Sequence, residues 1–225
     1  MRIATYNIRV ADGGKHIEEV ASELKACCAD IIGIQEIDLD AERSGKIDVL
    51  KLLAEKSEYP HYHFYPAIPL QGGYYGIGIL SKHPILNVNM YKYECANFEK
   101  RILGNITVEI DGKTINFFNT HLSYEDLSIR TEQFKLMKKI LSENTPFIIT
   151  GDFNVSGLDE FSLFTECSFA NTKEKPFLTF KGDIHYNGFY SIDNIITSKE
   201  FKIINAEVFP SENSDHEMLV ADVEF

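Results

Sequence analysis

The sequence predicts an α/β protein made of two packed sheets with helices outside them. Three observations predict it. Eight short apolar runs are rich in β-branched residues, too few helical stretches exist to cover a parallel sheet, and hairpin signals punctuate the β-rich part. The expected strands are Ile3–Ile8, Ile31–Gln35, Tyr74–Ser81, Asn105–Ile110, Thr114–Thr120, Phe147–Gly151, Ile192–Thr197 and Met218–Phe225. Asp111-Gly112 lies between two of them and is the dipeptide a two-residue hairpin prefers. Ile17, Val20, Ala21, Leu24 and Cys28 recur at helical spacing, which predicts an amphipathic helix over Lys15–Cys28. Similar stripes predict helices near Ile47–Lys56 and Ser128–Glu143. These stripes are core-facing and take no ligand role.

The 225 residues are 44% hydrophobic and 25% charged, without repeats or linker-like tracts, so one domain over 1–225 is expected. Twenty-two basic against 34 acidic residues give a net charge of −12. That balance disfavours extended nucleic acid as the partner, because neutralising a phosphate backbone needs a basic footprint. No apolar run is long enough to span a bilayer. The first residues, Met1-Arg2-Ile3-Ala4-Thr5, lack a signal-peptide pattern, so a cytoplasmic location is expected. Cys27 and Cys28 are adjacent and cannot easily share a disulfide or form a finger-like metal pair, and the four cysteines, with Cys95 and Cys167, read as free thiols in or near the core. No protein partner is implied.

Polar residues cluster where the apolar runs end. Asn7, Glu36, His121 and Asp152 fall at or just past the C-terminal ends of their strands, with Asn154 close behind Asp152. Asp193 and His216 fall near the starts of theirs, and Asp215 precedes His216. If the last strands run antiparallel to the others, all of these reach one edge of the sandwich. Acids, amides and imidazoles are costly at the ends of buried strands unless that edge holds a cation or charged substrate. Glu36, Asp152, Asp193 and Asp215 would repel one another in a cleft, and Mg²⁺ or Mn²⁺ suits hard carboxylate ligands. The imidazoles can donate to phosphate or shuttle protons, and Asn7 and Asn154 can orient water and carboxylates.

These motifs resemble those of the endonuclease/exonuclease/phosphatase family, which has the DNase I-like fold. The resemblance rests on Thr5-Tyr6-Asn7-Ile8-Arg9, Gln35-Glu36-Ile37-Asp38, Arg43-Ser44-Gly45 and the run Tyr75–Ile85. It continues through Asn119-Thr120-His121-Leu122, Arg130 with Gln133, Gly151-Asp152-Phe153-Asn154, Ile192–Ile195 and Ser214-Asp215-His216. Each motif is short; their joint occurrence in this order is specific. The resemblance implies a four-layer sandwich and phosphoester hydrolysis with one or two Mg²⁺ or Mn²⁺ ions.

Carried over residue by residue, the resemblance implies that Glu36 is the main metal ligand, with Asn7 and Asp215 assisting. Asp152 and Asn154 would orient or activate water. His216 would contact the scissile phosphate or act as base, with Asp193 fixing its tautomer. His121 would stabilise phosphate charge or help the leaving group. Arg101 and Tyr75 are candidate substrate contacts. Many relatives have a proline two places after the histidine, where this chain has Met218. A small phosphodiester or phosphomonoester is the expected substrate; a Mg²⁺-dependent nuclease and a non-catalytic binding module are the alternatives.

Plainer readings exist for each residue alone. Asn7 is an ordinary turn residue, Glu36 a solvated acid, and Asp152 with Asn154 an Asx-rich turn. His121 and Asp193 are satisfied buried groups. Arg130 reads as a structural ion-pair partner, and Arg101 is equally placed between that role and a phosphate contact. Asp38, Asp40 and Glu42 read as a solvated acidic loop. His16, His61, His63, His83 and His185 read as surface or structural. Tyr74 and Tyr75 either line the substrate mouth or start a strand.

Overall fold

The computed structural model describes residues 1–94, 98–182 and 190–225. Cys95 and His185 lie outside the described residues. The strands are β1 (Arg2–Asn7), β2 (Ile31–Leu39), β3 (His61–Leu70), β4 (Gly73–Ser81), β5 (Ile85–Lys92) and β6 (Ile102–Ile110). They continue with β7 (Lys113–His121), β8 (Phe147–Asp152), β9 (Ser168–Phe169), β10 (Asp193–Thr197), β11 (Lys202–Phe209) and β12 (Met218–Glu224). They form two six-stranded sheets, ordered β11-β12-β1-β2-β4-β3 and β5-β6-β7-β8-β10-β9. Both are mixed: β1 runs parallel to β2 and antiparallel to β12, and β7 runs parallel to β8, which is antiparallel to β10.

Side-chain alternation sorts the core into layers. Ile3 of β1 and Ile115 and Phe117 of β7 meet between the sheets. Ala4 and Tyr6 point the other way, under the helices Ile17–Ala26 and Val49–Lys56. Phe118 and Ile149 pack under the helix Leu127–Ser142 on the far face of the second sheet. The result is the predicted four-layer sandwich. Truncating a buried anchor such as Phe117 to alanine should cost about 3–5 kcal/mol.

Where the sheets approach near the functional edge, apolar packing gives way to a buried amide network. Asn119 Nδ2 donates to Ile34 O at 2.9 Å and Gly78 O at 2.8 Å on the opposite sheet. Gln35 Nε2 donates to Asn119 Oδ1 at 2.6 Å and Thr5 Oγ1 at 3.0 Å. Gly33 permits the approach: a Cβ there would overlap the Thr150 and Asn119 side chains.

The eight expected strands are all present. The four that the sequence pattern does not predict are β3, β5, β9 and β11, the edges of the two sheets. β3 carries Pro66 and Pro69, which an edge strand tolerates because it needs fewer ladder donors. The Asp111-Gly112 turn joins β6 to β7, with both residues at positive φ as a type I′ hairpin requires. β2 runs past its expected end at Gln35 as far as Leu39. Among the described residues no helix is long and apolar enough to cross a membrane.

Candidate active site

Strand register creates the site. His121, Asp152 and Asp193 occupy one row across three adjacent strands, His121 paired with Asp152 and Asp152 with Asp193. β10 and β12 do run antiparallel to their neighbours β8 and β1, so residues at their starts meet residues at the other strands' ends.

A bulge aims Glu36. Ile34 faces Gly78 and Ile37 faces Gly76, so Gln35 and Glu36 share the space opposite Ile77 alone. Glu36 takes φ +59°, a strained conformation for a side-chain-bearing residue. Asn7, on the neighbouring β1, steadies it. Its Nδ2 donates to Glu36 Oε1 and to Asp152 Oδ2, both at 3.0 Å, and its Oδ1 accepts the Arg9 N–H at 3.0 Å.

Asp152 is the hub. Besides the Asn7 amide, it faces His121 Nε2 at 3.4 Å and His216 Nε2 at 3.6 Å, all on Oδ2. Its Oδ1 accepts the N–H of Asn154 at 3.0 Å, which closes an Asx turn with Asn154 at φ +49°. The turn reading and the site reading of this pair are therefore met by one geometry. Asn154 Nδ2 donates to Leu122 O at 2.9 Å, tying the turn to the end of β7. Burial and the neighbouring charge of Asp193 push the Asp152 carboxyl up to about 7.

His216 Nδ1 donates to Asp193 Oδ2 across 2.8 Å, and Phe180 packs edge-on against the imidazole. Burial opposes a charge there, but Asp193 and Asp152 outweigh it and hold His216 well above the usual imidazole range, at about 10. His121 differs. Burial, then the positive charges of Arg101 and His216, keep it well below that range and neutral.

The pocket these groups face has a volume of 270 Å³ and is lined by Glu36, Tyr75, Arg101, His121, Asn154, Asp215 and His216, among others. Asn7, Asp152 and Asp193 lie just beneath, touching the lining through the bonds above. The structure thus brings all ten predicted site residues together. Arg101 is 5% exposed, donates to Glu99 at 3.0 Å, and leaves its Nε without a partner among the described residues. His121 Nδ1 and Asp193 Oδ1 are likewise unpartnered there. Desolvation and the charge of Glu36 keep the Tyr75 hydroxyl protonated.

The donor set fits a hard divalent cation. Glu36 is partly open to the pocket, and Asp215 opens onto the same space. Burial raises the Glu36 carboxyl, and the nearby charge of Asp215 raises it further, a repulsion that a divalent ion relieves. Asp152, Asp193 and His216 also place donor atoms within 4.8 Å of one another. One nitrogen of that second set is already committed to the His216–Asp193 hydrogen bond.

Two regions differ from the sequence reading. Asp38 is not solvated: it is fully buried and pairs with Arg43 through two 2.8 Å hydrogen bonds, and Arg43 lies over the Tyr75 ring at 5.3 Å. The bulge turned β2 so that Asp38 faces inward, which residue type alone does not reveal. The second region is the support of the Asp215–His216 loop by Glu23, which sequence reasoning missed. Glu23 accepts from Tyr6 Oη at 2.9 Å, from Ser211 Oγ at 2.9 Å and from Asn213 Nδ2 at 2.7 Å. Ser214 Oγ then donates to Asn7 O at 2.7 Å. Arg130 is the structural residue it was expected to be, bound to Glu160 at 2.8 Å.

A family model described as the endonuclease/exonuclease/phosphatase family matches residues 4–216. The chain belongs to that family. Solved members share its fold at low identity. An endonuclease/exonuclease/phosphatase protein from Beutenbergia cavernae is 19% identical with a TM-score of 0.83, over 100% of this chain and 71% of that one. The mannosyl-6-phosphatase of Bacteroides thetaiotaomicron is 20% identical with a TM-score of 0.76, over 100% of both chains. D. rerio TDP2, solved with a single-strand DNA product, is 16% identical with a TM-score of 0.76, over 100% of this chain and 99% of that one. No curated protein sequence matches closely enough to count as a relative. Family members typically hydrolyse phosphoesters and depend on divalent metals, and the acid–imidazole cluster lies in the part of the chain the family model covers.

Proposed function

We propose that this chain is a divalent-metal-dependent phosphoesterase that cleaves a small phosphodiester or phosphomonoester by in-line attack of water. One observation carries the reading. A carboxyl held near neutrality, Asp152, sits between two imidazoles of opposite charge state beneath a pocket that also holds Glu36 and Asp215.

Glu36 and Asp215 would hold Mg²⁺ or Mn²⁺, with Asn7 positioning Glu36 through its amide. The ion supplies electrostatic stabilisation of phosphoryl oxygens. The chain does the rest. Asp152, fixed by Asn7 and Asn154, accepts the proton of the attacking water. His216, kept protonated by Asp193, donates a hydrogen bond to a phosphoryl oxygen from Nε2. His121 and Arg101 lie on the opposite wall, where the neutral imidazole and the unpartnered Nε offer further donors to developing charge. Tyr75 orients the substrate at the mouth.

The acidic balance of the chain argues against long nucleic acid, so the family's phosphatase and diesterase chemistry on small molecules is preferred. A panel of phosphomonoesters, small phosphodiesters and single- and double-stranded DNA, assayed with Mg²⁺ and with EDTA, tests this. The expected result is chelator-sensitive turnover of a small ester. Preferred turnover of duplex DNA at physiological salt would overturn the substrate assignment. A cation-binding protein inert across the panel would favour the binding-module alternative.

A further inference from the structure

Beside the catalytic pocket lies a larger groove of 710 Å³. It opens between the edge strands of the two sheets, where the end of β3 faces the end of β5. Arg101 lines both the groove and the catalytic pocket. Strand alternation divides the adjacent tyrosines between them: Tyr75 lines the pocket and Tyr74 the groove.

The groove's lining has two characters. Pro66, Pro69, Tyr74 and Met90 give it a flat apolar side, and Tyr74 and Met90 are 46% and 39% exposed. Lys92 and Lys100 add two exposed ammonium groups against Glu94, while the shared Arg101 is paired with Glu99 at 3.0 Å, which leaves the groove a net positive charge among its described residues. On a chain of net charge −12, a locally basic groove that shares a buried arginine with the catalytic pocket is selective for anions by contrast with its surroundings. Exposed Tyr and Met beside Pro suit the face of a ring.

We infer that this groove is a substrate subsite holding a ring-bearing, negatively charged group esterified to the scissile phosphate. The inference rests on the phosphoesterase reading and deepens it. With that group retained on the phosphate after cleavage, the preferred substrate is an anionic aryl or heterocyclic phosphodiester. In the reaction, water adds to phosphorus, the bond to the departing oxygen breaks, and the retained monoester keeps its ring over Tyr74 and its anionic substituent near Lys92 and Lys100.

Two synthetic diesters isolate this contact. Phenyl 4-nitrophenyl phosphate and 4-carboxyphenyl 4-nitrophenyl phosphate release the same chromophore from the same bond and differ by one carboxylate on the retained ring. The wild-type protein with Mn²⁺ should favour the carboxylated diester roughly 5-fold or more in kcat/KM, the scale of one exposed charge pair per lysine, and the gain should lie in KM. The double variant Lys92→Glu, Lys100→Glu should bring that ratio below one. Tyr74→Ser should raise KM for both diesters. Equal kcat/KM for the two diesters in wild type, or a ratio unmoved by the double charge reversal, would overturn the subsite.

If neither diester is hydrolysed, the ester panel described above decides whether the phosphoesterase reading stands, and the subsite is judged separately by calorimetric binding of 4-carboxyphenyl phosphate. Affinity at least 5-fold weaker in the double variant than in wild type sustains the groove. Equal affinity, or no binding to wild type, removes it.

Discussion

His121 and His216 look at the same carboxylate oxygen from opposite walls of one pocket, at 3.4 and 3.6 Å, yet settle in opposite charge states. The difference lies behind each ring. His216 has the Asp193 carboxylate on its far nitrogen, and two acids together outweigh the cost of burying a cation. His121 has no partner on its far nitrogen among the described residues, and burial together with the positive charges of Arg101 and His216 opposes a proton on it despite the Asp152 oxygen on its near side. Two residues of one type, each equally hidden from water, are thus specialised by what stands one layer further back.

The largest expected effect attacks the charged wall. His216→Ala should lower turnover by about 10²–10⁴, the usual range for losing a positioned acid–base group. A loss under tenfold would erase the functional half of the comparison. Asp193→Asn keeps the ring and removes its carboxylate. Turnover should fall about 10–100-fold, and the His216 imidazole should titrate closer to the ordinary histidine range when followed by NMR. An unchanged titration would mean that Asp193 does not set the charge.

The neutral wall is tested through stability. The folded-state pKa of His121 lies below its unfolded value, so below about pH 6.5 the unfolded chain binds a proton that the folded one refuses. Stability contributed by neutral His121 is present above that value and is lost as pH falls, by up to about 1.4 kcal/mol per pH unit. Denaturant unfolding between pH 7.5 and 5.5 should therefore be less steeply pH-dependent in His121→Gln than in wild type. Parallel curves would contradict a neutral His121.

The smallest effect concerns the frame. Glu23→Gln weakens the anchor under the Asp215–His216 loop while leaving every pocket-lining group in place. Turnover should fall less than tenfold, and Tm by about 2–6 °C, for a charged hydrogen-bond acceptor worth roughly 1–2 kcal/mol in a chain of this size. No change in either would show that Tyr6, Ser211 and Asn213 need no carboxylate.

The sequence reveals the eight central strands because both faces are covered and their apolar runs are continuous. The four edge strands escape it for the same reason in reverse. β3 is broken by two prolines, β5 and β11 alternate with exposed polar residues, and β9 is only two residues long. Eight of the ten candidate site residues, all but Arg101 and Tyr75, stand out in the sequence because polar groups interrupt apolar runs where strands end. What escaped were features created by backbone geometry. The bulge at Glu36 turns Asp38 inward onto Arg43, and Glu23 on an otherwise ordinary amphipathic helix reaches a loop 188 residues away in sequence. Neither leaves a local pattern.

The central claim is that Glu36 anchors a divalent ion over the Asp152–His216 pair. Calorimetric titration of Mn²⁺ into chelator-treated wild type and Glu36→Ala tests it most directly. The account predicts saturable binding to wild type and at least tenfold weaker binding to the variant, with thermal unfolding of the metal-free proteins alike. Equal Mn²⁺ affinity in the two proteins would contradict it.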